Sequence, residues 1–287
     1  MRPVHYISIA AAIALTALLY WGGNTTPPAK TGGAALQQPP QMMGGAPGPN
    51  TVKPASFDSL LAASFDQLSK TAADSVKTIE NELKATRDSS RMASVFIRLA
   101  HVWEVNHKAP IAAYFGAQAA KLENSEKKLN FAGQFFLDLM HEDTSSAMHM
   151  WEAQEAIDCF KRSLAVDPNN DTAKIALATG YIEGTGETMQ GVQLLLGITR
   201  EKPDNVPANM MLGKLAIQSG QFDKAQKRFE EILKLQPKNA EAMYFLAETY
   251  KGKGDKEKAI ELFEQCKKLV NRPEFSRDVD QYISTIK

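Results

Sequence analysis

The sequence has no excess of charge of either sign, since 33 Lys and Arg residues balance 33 Asp and Glu residues. Nucleic-acid-binding proteins need a basic surplus or a basic stripe, so nucleic acid is not expected as a main partner. The same balance offers no polybasic patch for anionic lipid. Cysteine is also scarce, and with only Cys159 and Cys266 in the chain no disulfide framework is expected.

The sequence also lacks a recognisable catalytic or cofactor-binding motif. The glycines of GTGETMQG (184–191) are spaced like a phosphate loop, but no strand precedes them and no Lys-Ser/Thr ending follows. The two histidines in HEDTSSAMHM (141–150) are eight residues apart, which does not place them on one helical face. A polar loop whose Asp143 or Thr144 caps the next helix is the simpler interpretation. We therefore predict no enzymatic activity, no cofactor and no metal site.

Long apolar runs are absent except at the N-terminus. The run 4–21 contains no charge if His5 is neutral, and as a helix it would span about 27 Å, close to the roughly 30 Å of a bilayer core. Arg2 precedes it, and the next basic residue is Lys30, so the positive-inside rule places the N-terminus in the cytoplasm. We expect an uncleaved single-pass anchor in the inner membrane; a cleaved signal peptide and a buried core helix are the alternatives.

A stretch rich in Pro and Gly follows the apolar run. ALQQPPQMMGGAPGPN (35–50) holds four Pro and three Gly, which remove backbone donors and make ordering entropically unfavourable. We expect residues 22–55 to be a disordered linker with a root-mean-square reach of roughly 30–35 Å.

Beyond the linker, similar phrases recur at a nearly constant interval. Pro168, Pro203 and Pro237 are 35 and 34 residues apart and close AVDPNN, TREKPDN and KLQPKN. In the copy at 206–239, the residues that form the pattern between Pro203 and Pro237 are Leu212, Gly213, Gly220, Ala225, Phe229 and Ile232. This pattern resembles the tetratricopeptide repeat (TPR), a helix–turn–helix unit of 34 residues.

The resemblance divides the chain into about five repeats between two capping elements. The predicted order is a helical hairpin or cap at 56–92, repeats at 93–126, 127–170, 171–205, 206–239 and 240–273, and a capping helix at 274–287. The second repeat carries an insertion, which we place at 141–150. Such helix pairs bury their apolar faces only by stacking, so we predict an all-α superhelix (an α-solenoid) preceded by one transmembrane helix and a disordered linker.

The resemblance also implies a binding site. In TPR proteins the first helices line a concave groove that holds an extended peptide or a helix. The corresponding positions here are Ile175, Thr179, Ile182, Met210, Lys214, Ile217, Tyr244, Glu248 and Lys251, with Ile97, His101 and Glu104 nearer the N-terminus. These groove positions are mainly apolar and suit an amphipathic helix or a hydrophobic peptide. The Lys and Asn side chains with which some TPR proteins clamp chaperone tails are missing from these positions.

These features predict a non-catalytic protein–protein interaction scaffold, tethered to the inner membrane with its TPR groove in the periplasm. It would bind a peptide or helix of a partner protein or assemble an envelope complex. Anchored TPR proteins of cytochrome c maturation, and the TPR coordinator of wall synthesis during division, are similar in layout. The alternative is an obligate accessory subunit of an envelope enzyme or of a secretion or cytochrome c maturation machine. Self-association through the groove is also open.

Overall fold

The computed structural model describes residues 52–286, which contain thirteen α-helices and no β-strand. The helices are α1 (Phe57–Phe65), α2 (Lys70–Ala85), α3 (Ser89–Val105), α4 (Ala109–Glu123), α5 (Glu126–Glu142), α6 (Ser146–Val166), α7 (Asp171–Thr179), α8 (Thr188–Glu201), α9 (Val206–Gln218), α10 (Phe222–Leu235), α11 (Ala240–Lys253), α12 (Lys256–Val270) and α13 (Pro273–Ile286). The predicted anchor at 4–21 and all but the last four residues of the predicted linker lie outside the described residues. Among the helices of 52–286, none combines the length and hydropathy required to cross a bilayer.

The recurring Pro-x-Asn phrase marks the boundary between successive repeats. Each Pro follows a helix within two residues, and each Asn caps the helix that comes next. The side-chain oxygens of Asn170, Asn205 and Asn239 accept hydrogen bonds from the backbone N–H three residues ahead, at 2.9, 3.0 and 2.9 Å. Such caps satisfy N–H groups that lack a partner inside the helix and contribute about 1 kcal/mol each. The phrase therefore separates α6 from α7, α8 from α9, and α10 from α11.

Small residues lie where the two helices of one repeat approach closely. A β-carbon at Gly213 of α9 would lie 2.6 Å from Cζ of Phe229 in α10, and one at Gly133 of α5 would lie 2.8 Å from Cζ of Phe160 in α6. Both phenylalanine rings are buried. In both repeats the ring of the second helix therefore occupies the space that a side chain at the glycine would need.

The apolar core of the described residues consists of five clusters that follow the order of the chain. The clusters contain, in turn, Trp103, Phe160, Leu195, Phe229 and Phe263. Helix α13 covers the fifth cluster with Val279, Ile283 and Ile286. Each cluster includes side chains from helices that are neighbours in sequence, so the stack depends on contacts between adjacent helices, as in other solenoids.

The extra residues of the second repeat lengthen its helices and do not form a loop. Helix α5 extends to Glu142 and α6 begins at Ser146, so that the helices have 17 and 21 residues. The prediction of a polar loop over 141–150 is therefore wrong. The predicted cap is also wrong, because Ser145 caps α6 while Asp143 accepts a hydrogen bond from the Ser145 N–H at 2.6 Å. The buried side chains of Met140 and Trp151 explain the extension, since they pack in the same core cluster.

Helix α7 continues directly into a π-helical turn at Gly180–Thr185. A π-turn contains one residue more than an α-helical turn, so it takes up the extra residue of the 35-residue repeat. The π-turn overlaps the start of the segment GTGETMQG (184–191), which leads into α8. A β-carbon at Gly184 would lie 2.2 Å from Cβ of Ala153, so the turn lies directly against α6.

Candidate protein-binding site

The candidate site is the exposed side of the first helices of the five repeats, α3, α5, α7, α9 and α11. We call it the first-helix face. The predicted groove residues of the last three repeats lie on α7, α9 and α11, with Ile182 in the π-turn. Their surroundings differ strongly from one repeat to the next.

The most exposed large apolar side chain of the described residues lies on this face in the second repeat. Phe131 of α5 is 75% exposed, and its ring stacks on Phe135 with 6.5 Å between the centroids. Ile97 of α3, one repeat earlier at the equivalent position, is 48% exposed. Isolated exposed apolar residues are common, but an exposed ring that stacks on a second, half-buried ring of the same helix indicates a contact surface.

The sequence reasoning named Ile97 but missed Phe131 and Phe135. A signal was available, because Phe131 stands 34 residues after Ile97, which is one repeat length. The insertion predicted at 141–150 follows both residues and leaves this register unchanged.

The three predicted residues of the third repeat are half-buried and engaged with the stack. Ile175 and Ile182 pack against the cluster that contains Leu195. A β-carbon at Gly191 of α8 would lie 2.5 Å from Cγ1 of Ile182, so Ile182 is directed at the second helix of its own repeat. The π-turn explains this, because it changes the angular position of the residues that follow α7.

Thr179 joins the third repeat to the fourth. Its hydroxyl donates to the carbonyl oxygen of Ile175 at 3.2 Å and lies 3.8 Å from Sδ of Met211. The hydroxyl is therefore engaged within the chain.

In the fourth repeat, the predicted charged residue already has partners inside the chain. Nζ of Lys214 lies 2.5 Å from Oε1 of Glu241 and 4.7 Å from the ring centroid of Phe245. Met210 is buried, and Ile217 is half-buried against the cluster that contains Phe229. The charge of Lys214 is thus compensated without a partner protein.

The predicted residues of the fifth repeat form a connected set that includes α13. Tyr244 packs edge-on against Phe263 at 5.3 Å, and burial beside Glu248 raises the pKa of its hydroxyl. Nζ of Lys251 lies 3.7 Å from Oε2 of Glu248, donates to the Tyr282 hydroxyl and lies 4.3 Å from that ring centroid. The capping helix therefore occupies the charged end of the first-helix face.

A polar cluster lies away from these residues, where α5, α6 and the π-turn meet. Nε2 of His141 lies 2.9 Å from Oε2 of Glu183, and this hydrogen bond raises the pKa of His141. The ring nitrogens of His149 lie 3.0 Å from the Met140 carbonyl oxygen and 3.1 Å from the Glu183 carbonyl oxygen. Among residues 52–286, no group of three or more His, Cys, Asp or Glu side chains is arranged to hold a metal ion.

Three titratable groups are buried in the core. Burial raises the pKa of Cys159 to about 12 and that of Cys266 to about 11, which disfavours their reactive thiolates at neutral pH. Glu152 of α6 is 1% exposed, and burial together with the charge of Asp143 raises its pKa to about 8. Its Oε2 atom has no hydrogen-bond partner among the described residues.

Residues 216–271 match the family model described as tetratricopeptide repeat. This part of the chain is therefore similar to tetratricopeptide repeats. This match includes the turn glycines Gly220 and Gly254, whose φ angles of +70° and +83° lie in the left-handed region that favours glycine. Tetratricopeptide repeats generally mediate protein–protein interactions, so the coarse functional prediction agrees with the match.

One curated relative is anaphase-promoting complex subunit 3 of Dictyostelium discoideum, which is 32% identical over 87 residues. The aligned part is 30% of this chain and only 9% of that protein. The likeness therefore concerns a short run of repeats within a much longer protein.

Two solved structures of TPR proteins are similar to this chain, and the first of them has the same fold. A TPR protein from Parabacteroides merdae has a TM-score of 0.51 at 19% identity, over 65% of this chain and 72% of that one. YrrB, a TPR protein described as having an unusual peptide-binding site, has a TM-score of 0.46 at 18% identity, over 72% of this chain and 99% of that one. Residues 52–286 form an all-helical, TPR-like solenoid, as predicted.

Proposed function

We propose that this chain is a non-catalytic scaffold whose first-helix face binds an apolar peptide or an amphipathic helix of a partner protein. The observation that carries the proposal is the exposure of Phe131 beside Phe135 on α5. Aromatic side chains in such positions are frequent anchors of protein interfaces, because they bury a large area with little loss of conformational entropy.

The distribution of charge supports an apolar ligand. At the C-terminal end of the first-helix face, Lys214 is paired with Glu241 and Lys251 with Glu248. Neither lysine offers an uncompensated charge to an acidic tail. The ligand is therefore expected to be held by apolar contacts near Phe131 and not by a cluster of cations.

We further propose that residues 4–21 anchor the chain in the inner membrane and that 22–55 hold the repeats in the periplasm. The support is the uncharged apolar run, the position of Arg2 before it, and the Pro- and Gly-rich composition after it. Protease added to spheroplasts should then digest the repeats and leave the first residues protected. Protection of the whole chain in intact spheroplasts would contradict this arrangement.

The test of partner binding replaces Phe131 with a photo-crosslinking amino acid in the full chain and identifies the adducts from intact membranes. Phe131→Asp should abolish co-purification of the crosslinked partner, because a charge is placed within the apolar contact. Leu196→Asp is the matched control, since Leu196 is an exposed apolar residue on α8, a second helix.

Unchanged recovery with Phe131→Asp would overturn the proposed site. A stoichiometric complex that survives purification would favour the accessory-subunit alternative over transient capture. An adduct between two copies of the chain would instead assign the surface to self-association.

A further inference from the structure

A second surface lies on the second helices of the first two repeats, where it is covered by α1. The ring of Phe57 stacks on Tyr114 with 3.7 Å between the centroids and lies 6.0 Å from Trp151 in a stacked orientation. It also meets the edge of Phe115 at 5.9 Å. Tyr114 and Phe115 belong to α4 and Trp151 to α6. We call these three rings the aromatic cradle.

The rest of α1 continues the contact with apolar residues at helical spacing. Phe57, Leu60, Leu61 and Phe65 follow at positions i, i+3, i+4 and i+8, which places them on one side of the helix. Phe57 and Leu60 pack against the core clusters of both the first and the second repeat. This is the arrangement in which an amphipathic helix binds a groove.

Polar contacts at both ends fix the position of this segment. Before the helix, the backbone N–H of Ala55 donates to the carbonyl oxygen of Ala147 in α6 at 2.9 Å. Beyond the helix, Nζ of Lys108 donates to Oε1 of Gln67. The segment is thus held as a bound peptide would be, by aromatic and aliphatic anchors and a hydrogen bond at each end.

The attachment of α1 to the stack consists largely of side-chain contacts. The helix has nine residues, and only Ser64 among them is buried. A helix of this length is not stable in isolation, so its order depends on the cradle. Four residues, 66–69, connect it to α2. The helix can therefore separate from the cradle without disturbing the helices that form the cradle.

We propose that the aromatic cradle is a second binding surface, for an amphipathic helix of a partner protein with the spacing Phe-x-x-Leu-Leu, and that α1 occupies it as an intramolecular competitor. The chemistry of this partner follows from the segment that occupies the site. Because α1 is covalently linked, its effective concentration is high, and a partner helix gains access only when α1 is displaced or weakened. This surface is distinct from the first-helix face.

The test uses the full chain in detergent and a fluorescently labelled peptide of residues 52–68, with binding measured by fluorescence anisotropy. Phe57→Ala in the full chain removes the main anchor of α1 and leaves the cradle intact. The peptide should bind this variant about tenfold more tightly than wild type, or better, since the competent fraction of cradles rises. A peptide carrying the same Phe57→Ala change should bind neither chain.

Two controls separate the outcomes. Leu196→Ala in the full chain changes an exposed apolar residue of α8, which belongs to neither surface, and should leave peptide binding as in wild type. Circular dichroism should show that the Phe57→Ala chain keeps its helical content; if it does not, Leu60→Ala takes its place in the same comparison. Equal affinity of the peptide for wild type and the folded variant, or equal binding of the two peptides, would overturn the proposal.

Discussion

The pH dependence of stability should be governed in part by Glu152, a carboxyl group in the core of the second repeat. The side chain is 1% exposed, and its Oε2 atom has no hydrogen-bond partner among residues 52–286. Burial and the charge of Asp143 raise its pKa from an ordinary value of 4.5 to about 8. The folded protein therefore holds this proton more strongly than the unfolded chain does.

The sign and size of the effect follow from that difference in proton affinity. Below about pH 4.5 the carboxyl is neutral in both states and has no pH-dependent effect. As the pH rises from 4.5 to about 8, the unfolded state releases the proton first, and the folded state is destabilised. With about 1.4 kcal/mol for each tenfold difference in proton affinity, the free energy of unfolding is lowered by roughly 3 kcal/mol at pH 7.

Glu152→Gln removes the ionisation while keeping the shape of the side chain. Urea denaturation followed by circular dichroism should show wild type losing roughly 3 kcal/mol relative to this variant between pH 5 and pH 8. Glu142→Gln is the matched control: Glu142 is an exposed residue at the end of α5, and this variant should follow wild type. If wild type and Glu152→Gln remain parallel over this range, Glu152 is ionised at neutral pH and the reasoning is refuted.

Two further perturbations test the packing of the repeats. The hydrogen bond to Glu183 raises the pKa of His141, so the stabilisation by this pair is complete below about pH 6.5 and is lost as the pH rises through the pKa of the folded state. The difference in stability between wild type and His141→Gln should therefore shrink above pH 6.5. A difference that is constant with pH would contradict the pairing. Gly213→Ala should lower the free energy of unfolding by about 1–3 kcal/mol in urea melts, because the new β-carbon would overlap the ring of Phe229. Gly197→Ala on α8 is the control, because a β-carbon there meets no atom within 4 Å. This substitution should be neutral or stabilise the protein by up to about 1 kcal/mol. Equal effects of the two substitutions would show that helix propensity, and not packing, determines the change in stability.

The repeat architecture could be predicted because each of its signals has a local physical cause. Asn170, Asn205 and Asn239 cap helices through their own side chains, so the Pro-x-Asn phrase reports helix boundaries directly. Gly213 is small because a neighbouring ring fills its space, and Gly220 adopts a left-handed φ. Such constraints act within a few residues or between adjacent helices, and a periodic sequence displays them.

The form of the second and third repeats could not be predicted from the same signals. Extra residues can form a loop, extend a helix or widen a turn, and the choice depends on packing against other helices. In the second repeat, the burial of Met140 and Trp151 favours longer helices. In the third, the contact between Gly184 and Ala153 accompanies a π-turn, which directs Ile182 toward α8.

The candidate site was harder to predict than the fold because repeat position does not determine exposure. Lys214 and Lys251 stand at groove positions, yet Glu241 and Tyr282 engage them within the chain. Exposure of Phe131 depends on the absence of such neighbours, which the repeat pattern does not encode.

The two proposed surfaces can be tested independently because their anchors lie on different helices of the same repeats. Phe131 projects from α5, a first helix, whereas Trp151 lies on α6, a second helix, and takes part in the cradle that Phe57 fills. A substitution at Phe131 therefore leaves the cradle unchanged, and one at Phe57 leaves the first-helix face unchanged. If Phe131→Asp and Phe57→Ala altered the capture of the same partner in opposite directions, one protein would contact both surfaces, and displacement of α1 would be coupled to its binding.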